Sequence, residues 1–172
     1  MAGAEEVGFI GVGTIGAPMA RRLLDAGHAL VVHDLRPEAL RPLAEAGARS
    51  AASPREVAER CRVVMTSLPG PAEVESVVRG ETGILAGARR GDVHVDLSTS
   101  SWAMVRRLAA QEARAGVMLL DAPVSGGAAG AAQGTLTVMA SGPRAAFSRA
   151  EPVLRSPGRN VFHLRGTGAG TL

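Results

Sequence analysis

Gly11-Val12-Gly13-Thr14-Ile15-Gly16 is the first stretch of this sequence whose residue types and spacing can do chemistry. Glycines at the first two of its three fixed positions let the backbone turn tightly and approach a pyrophosphate. The third lets a helix pack on the preceding strand, and the N-terminus of that helix offers N–H donors and positive potential to an anion. The pattern alone is short and common. Here it directly follows the apolar run Val7-Gly8-Phe9-Ile10 and opens an amphipathic stretch, which is the context that gives it meaning. Asp34 stands about 20 residues beyond the loop, at the end of the next apolar run. A carboxylate there accepts hydrogen bonds from an adenosine ribose 2′-OH and repels a 2′-phosphate, so Asp34, with Leu35 beside it, points to NAD, and less to NADP. Arg36 is the counter-signal, since it can pair with a 2′-phosphate; Pro37 starts a helix next to it, and the side chain is expected in solvent.

The elements that must position these residues are legible from the alternation of short apolar runs with amphipathic stretches, the rhythm of parallel strands joined by crossover helices. The pattern predicts an α/β domain of Rossmann type, a doubly wound and mostly parallel sheet. Strands are expected at 7–10, 29–33, 49–51, 63–66, 93–96, 117–120, 136–140 and 160–164. Helices are expected at 17–26, from Pro37 to Gly47, from Pro54, at 71–78, at 102–115 and at 143–154. Ser53, Pro54 and Glu56 give the helix after 53 an N-cap, a proline at its first position and a capping box. Asp121 to Gly134 is expected as a Gly/Ala-rich loop. The dinucleotide-binding domain is expected over 1–165, with 166–172 as the start of a linker, and the glycine-rich end Gly166 to Gly170 has no terminating element in the pattern.

Composition narrows the function classes. The chain has 172 residues, 46% hydrophobic and 20% charged, with a net charge of +3. All 19 basic residues are arginine, and there is no lysine and no tyrosine, which excludes an in-chain Schiff-base lysine and a Tyr/Lys proton relay. Scattered arginines and 2% aromatic residues disfavour stacking-based binding of nucleic acid. No apolar run reaches membrane-spanning length, and Glu5-Glu6 is unlike the start of a signal peptide, so no membrane partner and a cytoplasmic location are expected. The lone Cys61 is read as core. His28, His33, His94 and His163 lack metal-type spacing, so no metal is expected. His94 shares a strand face with Asp96 by alternation, without either being shown to reach a cleft.

Phe9 to Ala20, taken as a whole, resembles the opening of the β-hydroxyacid dehydrogenases, the group that contains 3-hydroxyisobutyrate dehydrogenase. Three further segments resemble that family in order: Ser67-Leu68-Pro69, Asp96-Leu97-Ser98-Thr99, and Asp121-Ala122-Pro123-Val124-Ser125-Gly126-Gly127, which continues into Gly134 to Met139. Ile15 and Ser101-Trp102 depart from the family pattern without touching an expected chemical group. The resemblance implies that Leu68, Pro69 and Thr99 lie beside the cofactor and that Ser125, Gly126 and Gly127 hold a small hydroxy-carboxylate substrate. It also implies a lysine acting as general acid/base shortly after the glycine-rich end, and an all-helical C-terminal domain carrying a homo-oligomer interface. The sequence ends at Leu172 before either, so the expectation is a cofactor-binding half, with no catalytic residue of its own and no turnover alone.

The residues themselves are consistent with that division. Hydride transfer between a nicotinamide and an alcohol carbon needs a positioned cofactor, a substrate anchor and a proton carrier. The hydroxyl and approachable N–H groups of Ser125-Gly126-Gly127 suit a carboxylate; the weaker alternative, from composition alone, is a flexible loop. Thr99 can reach a nicotinamide, and Ser98 to Ser101 also reads as a helix N-cap cluster. The alternatives are a reductase of glyoxylate, succinic semialdehyde or tartronate semialdehyde, and a non-catalytic nucleotide-binding module. A 6-phosphogluconate dehydrogenase shares Val124 to Gly127, but Thr135-Leu136-Thr137 departs from the pattern that follows it there. An imine reductase shares the phosphate loop without the serine-glycine-glycine signature.

Overall fold

Short uninterrupted apolar runs such as Val7–Ile10 and Val63–Thr66 have no polar face to turn to water, so they serve as strands covered on both sides, and all four residues of each are buried. The structure is a computed structural model and describes residues 5–171. In chain order its elements are β1 (Val7–Ile10), α1 (Gly16–Asp25), β2 (Leu30–His33), α2 (Pro37–Glu45), β3 (Arg49–Ser50), α3 (Pro54–Arg60), β4 (Val63–Thr66), α4 (Pro71–Val78), α5 (Ile84–Gly87), β5 (Val93–Asp96), α6 (Trp102–Arg114), β6 (Met118–Asp121), β7 (Val124–Ser125), α7 (Gly127–Gln133), β8 (Leu136–Ser141), α8 (Arg144–Leu154) and β9 (Gly158–Leu164), followed by a 3-10 turn at Ala169–Thr171.

The strands form one sheet in the order β3-β2-β1-β4-β5-β6-β8-β7, with β9 on β8. Pairing is parallel from β3 to β6, and β8 then runs antiparallel to β6. The expected doubly wound, mostly parallel sheet is what the chain builds. Alternate strand residues feed two cores. Phe9, Val32, Met65, Val95 and Leu120 belong to one, together with Met19, Leu23, Phe147 and Leu154 from α1 and α8. Val31, Val64 and Leu119 belong to the other, under Val57, Val74, Ile84, Val105 and Leu108 from α3 to α6.

Most boundaries fall where the pattern puts them. Ser53 Oγ accepts the Glu56 N–H at 3.2 Å, while Glu56 Oε2 accepts the N–H of Ala52 at 2.7 Å, one residue upstream of the cap. The segment expected as a loop over 121–134 is instead β7 and α7. Its small residues permit a helix that packs closely on α1 and β8: a Cβ on Gly130 would sit 3.1 Å from Leu136 Cδ2, and Gly134 ends the helix in the left-handed region at φ +67°. The glycine-rich end is tied down too. Gly170 N–H donates to Ser141 Oγ at 3.2 Å and the Thr171 hydroxyl to Asp121 Oδ2 at 2.7 Å.

Candidate functional site

Strand order reverses between β1 and β4, so the loops leaving them diverge and a crevice opens over their carboxyl ends. Gly11 permits the close approach of the two loops. Its φ is +89°, and a Cβ on it would overlap the Ser67 carbonyl oxygen. Gly16 draws α1 onto the same turn, where a Cβ would overlap the Gly11 carbonyl oxygen. Gly13 is different in kind: a Cβ there would meet only the Arg36 guanidinium, at 3.5 Å. Nothing inside the fold requires glycine at 13, and the space it leaves opens onto the crevice. Ile15, at the N-cap of α1, makes no side-chain cap, and the first turn holds no acidic residue. Of the first N–H groups of α1, that of Ala17 donates to the Gly13 carbonyl oxygen at 2.9 Å and Pro18 has none, so the positive end of the helix is offered to an anion through the Gly16 N–H.

Asp34 ties this loop to the end of β2. Its Oδ2 accepts the Val12 N–H at 2.9 Å, and its Oδ1 accepts the Arg36 N–H at 2.9 Å and Arg36 Nε at 3.2 Å. Burial alone would raise the carboxyl pKa, but the N–H groups of Arg36 and Val12 and the Arg36 guanidinium outweigh it and hold the group below its ordinary value. The ionised carboxylate keeps acceptor capacity for a ligand hydroxyl. Arg36 is folded onto Asp34 with its side chain still 57% exposed.

The crevice has a volume of about 860 Å³. It brings together Gly11, Gly13, Thr14, Ile15 and Gly16, the pair Asp34 and Leu35, and Leu68 and Pro69 across from them. Leu35 projects into solvent at its rim, 91% exposed. Val12 is buried beneath the loop with its N–H on Asp34, so it shapes the site from below. Thr99, Ser125, Gly126 and Gly127 are exposed and are not in the wall of this crevice. Gly126 and Gly127 both have positive φ, and a side chain on Gly127 would meet nothing within 4 Å.

Several contributors escape the sequence reading. Ala72, Glu73, Ser76 and Val77 of α4 form part of the wall, and only their helical spacing was legible. Ser98 does not cap α6; Ser101 does, accepting the Met104 N–H at 3.3 Å. Ser98 Oγ accepts the Leu68 N–H at 2.9 Å, so it joins the loops after β4 and β5. Thr66, Asp96 and Asp121 are register neighbours on β4, β5 and β6, a buried polar row at the carboxyl ends of the strands. Burial pushes the Asp121 carboxyl up to about 6; bonds from Thr171 and Ser141 oppose the rise and the nearby Asp96 adds to it. Cys61 is core, as expected, and burial pushes its thiol up to about 12.

Residues 6–166 match the family of the NAD-binding domain of 6-phosphogluconate dehydrogenase. The 3-hydroxyisobutyrate dehydrogenase of Pseudomonas aeruginosa is 44% identical over 165 residues, covering 96% of this chain and 55% of the relative. The NAD-dependent L-serine dehydrogenase of the same organism is 42% identical over 166 residues, covering 96% and 56%. A solved structure of Psf3 in complex with NADP+ and 2-OPP superposes with a TM-score of 0.92 at 31% identity, covering 96% of this chain and 58% of that one. The chain thus spans about half the length of the relatives it matches.

Proposed function

The chain belongs to the family of the NAD-binding domain of 6-phosphogluconate dehydrogenase; from that premise we propose that it is the cofactor-binding part of a β-hydroxyacid dehydrogenase, an oxidoreductase that transfers a hydride between NAD and a small 3-hydroxy carboxylate such as 3-hydroxyisobutyrate. The observation that carries this reading is the space at Gly13, which the fold does not require and which faces Asp34 and Leu68–Pro69 in one crevice. In this reading Gly11, Gly13 and Gly16, with the N–H groups of Thr14 and Ile15, cradle the pyrophosphate, while Asp34 and Leu35 take the adenosine ribose. Leu68, Pro69 and Thr99 flank the nicotinamide, and Ser125, Gly126 and Gly127 hold the substrate carboxylate. The bound nicotinamide supplies the hydride chemistry; the residues of this chain bind and orient. No residue here is proposed as proton carrier.

Asp34 supports NAD over NADP, because its carboxylate stays ionised and sits where a 2′-phosphate would need positive charge. Both 3-hydroxyisobutyrate and L-serine, which figure in the names of the two Pseudomonas relatives, are 3-hydroxy carboxylates. Calorimetric titration of this chain with NAD and with NADP tests the reading. Tighter binding of NAD supports it. Tighter NADP binding overturns the cofactor assignment, and binding of neither overturns the site.

A further inference from the structure

On the face of the sheet under α6, the row of register neighbours Val31, Gly8, Val64 and Leu119 has one ionisable member, His94. Its side chain is fully buried and bonded at both ring nitrogens. Nδ1 lies 2.7 Å from Glu112 Oε1 of α6, itself fully buried, and Nε2 lies 2.9 Å from Thr66 Oγ1 of β4. The Thr66 hydroxyl is also 2.9 Å from Asp96 Oδ1. Asp96 Oδ1 accepts the Ser98 N–H at 3.1 Å, and Ser98 Oγ accepts the N–H of Leu68, in the crevice wall. A continuous chain of contacts therefore leads from a buried acid-imidazole pair, through the loop after β5, to Leu68 in the crevice wall after β4.

Counting hydrogens constrains this chain. Three contacts, Glu112–His94, His94–Thr66 and Thr66–Asp96, each need one hydrogen, and the Thr66 hydroxyl supplies only one. Glu112, His94 and Asp96 must hold the other two between them. A neutral His94 between two ionised carboxylates holds one too few: Thr66 would then have to choose between His94 Nε2 and Asp96, leaving two acceptors face to face in a dry interior. The imidazolium satisfies all three contacts at once, with Nδ1–H on Glu112, Nε2–H on Thr66 and the Thr66 hydroxyl turned to Asp96.

We propose that His94 and Glu112 are positioning residues for the cofactor crevice: the doubly protonated imidazole orients the Thr66 hydroxyl onto Asp96, and Asp96 through Ser98 holds Leu68 in place. The coupling to cofactor rests on the function proposed above. The electrostatics agree with the geometry. Burial would lower the His94 pKa, but the Glu112 carboxylate, by charge and by hydrogen bond, and Asp96 together raise it above its ordinary value. The groups facing it are Glu112 from α6, Asp96 from its own strand with Asp121 beyond on β6, and the Thr66 hydroxyl from β4. The buried residues of α3, α4 and α5 on this face are apolar, and the Cys61 thiol at the end of α3 stays protonated. Loss of the extra proton as pH rises frees the Thr66 hydroxyl to turn away from Asp96, and the Leu68 loop loosens.

Nitrogen NMR of the labelled chain across pH, with calorimetric NAD titration at the same pH values, tests this. The expected result is a His94 ring with both nitrogens protonated at pH 7. The Ser98 and Leu68 amide signals should move together as the ring deprotonates, with NAD affinity falling about three- to tenfold over the same range, the scale of one hydrogen bond. Glu112→Gln should move all three transitions to lower pH. Thr66→Val, close in shape and leaving the His94–Glu112 contact intact, should let the ring titrate while uncoupling the Leu68 amide from it. A ring with one protonated nitrogen at pH 7 overturns the proposal. So does a Leu68 amide that follows the ring in Thr66→Val as in the parent, or an NAD affinity that is flat through the ring transition. Failure of the parent chain to bind any dinucleotide refutes the proposed function and the cofactor coupling together, whereas the ring and amide signals still decide whether the positioning chain exists.

Discussion

Replacing Gly13 with alanine should separate what the ligand needs from what the fold needs. The new methyl meets only the tip of the Arg36 side chain, 3.5 Å away, and Gly13 is outside the positive-φ region, so the folded state accommodates it. Removing glycine's freedom from the unfolded chain contributes a gain of about 0.4–1 kcal/mol, and the variant should melt at or above the parent temperature. A pyrophosphate pressed against this loop loses far more. Displacing it from one backbone N–H costs about 1.5–3 kcal/mol, the value of a hydrogen bond to a charged group. That is roughly ten- to hundredfold in NAD affinity. Gly11→Ala and Gly16→Ala overlap backbone carbonyls and should destabilise the fold itself. Gly116→Ala is the remote control: its φ of +80° costs about 1–2 kcal/mol of stability, and its methyl must also displace Arg90 Cγ, 2.8 Å away, while the affinity of the remaining folded protein stays unchanged. Thermal melts and calorimetric NAD titrations on all four variants read the two effects apart. A folded Gly13→Ala protein that binds NAD like the parent would refute the assignment of this loop to the phosphates.

Three other outcomes follow from the same structure. Asp34→Ala should orphan the buried-side Val12 N–H and cost about 1–3 kcal/mol in chemical denaturation, whereas Asp34→Asn keeps an acceptor and should cost less; both should erode discrimination between NAD and NADP in titrations. Asp121 has a folded pKa of about 6 against 3.8 for the free group, so the folded state binds more protons and is stabilised below pH 4. That advantage is lost as pH rises through about 6, by about 3 kcal/mol, and urea midpoints should show Asp121→Asn flattening this part of the curve; an unchanged curve sinks the assignment. Cys61, buried and with its thiol at about 12, should react with a thiol reagent at pH 8 only as fast as the domain opens, and fast native-state labelling would contradict that.

The strand runs, the helix starts at Pro37, Pro54 and Pro71, and the glycine turn from Gly11 to Gly16 were readable along the chain because each rests on local causes. A buried strand is a short apolar run, a cap is a serine ahead of a proline, and a left-handed turn is a glycine. Helix α7 was not readable, because Gly127 to Gln133 has weak intrinsic preference and becomes helical by packing its small residues on α1 and Leu136. Alternation placed His94 and Asp96 on one face, yet Glu112 and Thr66 meet His94 from 18 and 28 positions away, through the packing of α6 and the register of β4. The three loop glycines look alike as letters. Only the fold distinguishes them, since Gly11 and Gly16 are glycine because neighbouring backbone leaves no room, and Gly13 faces open space. Sequence carries such information only where neighbours along the chain decide the energy; where distant backbones decide it, tertiary structure supplies the reason.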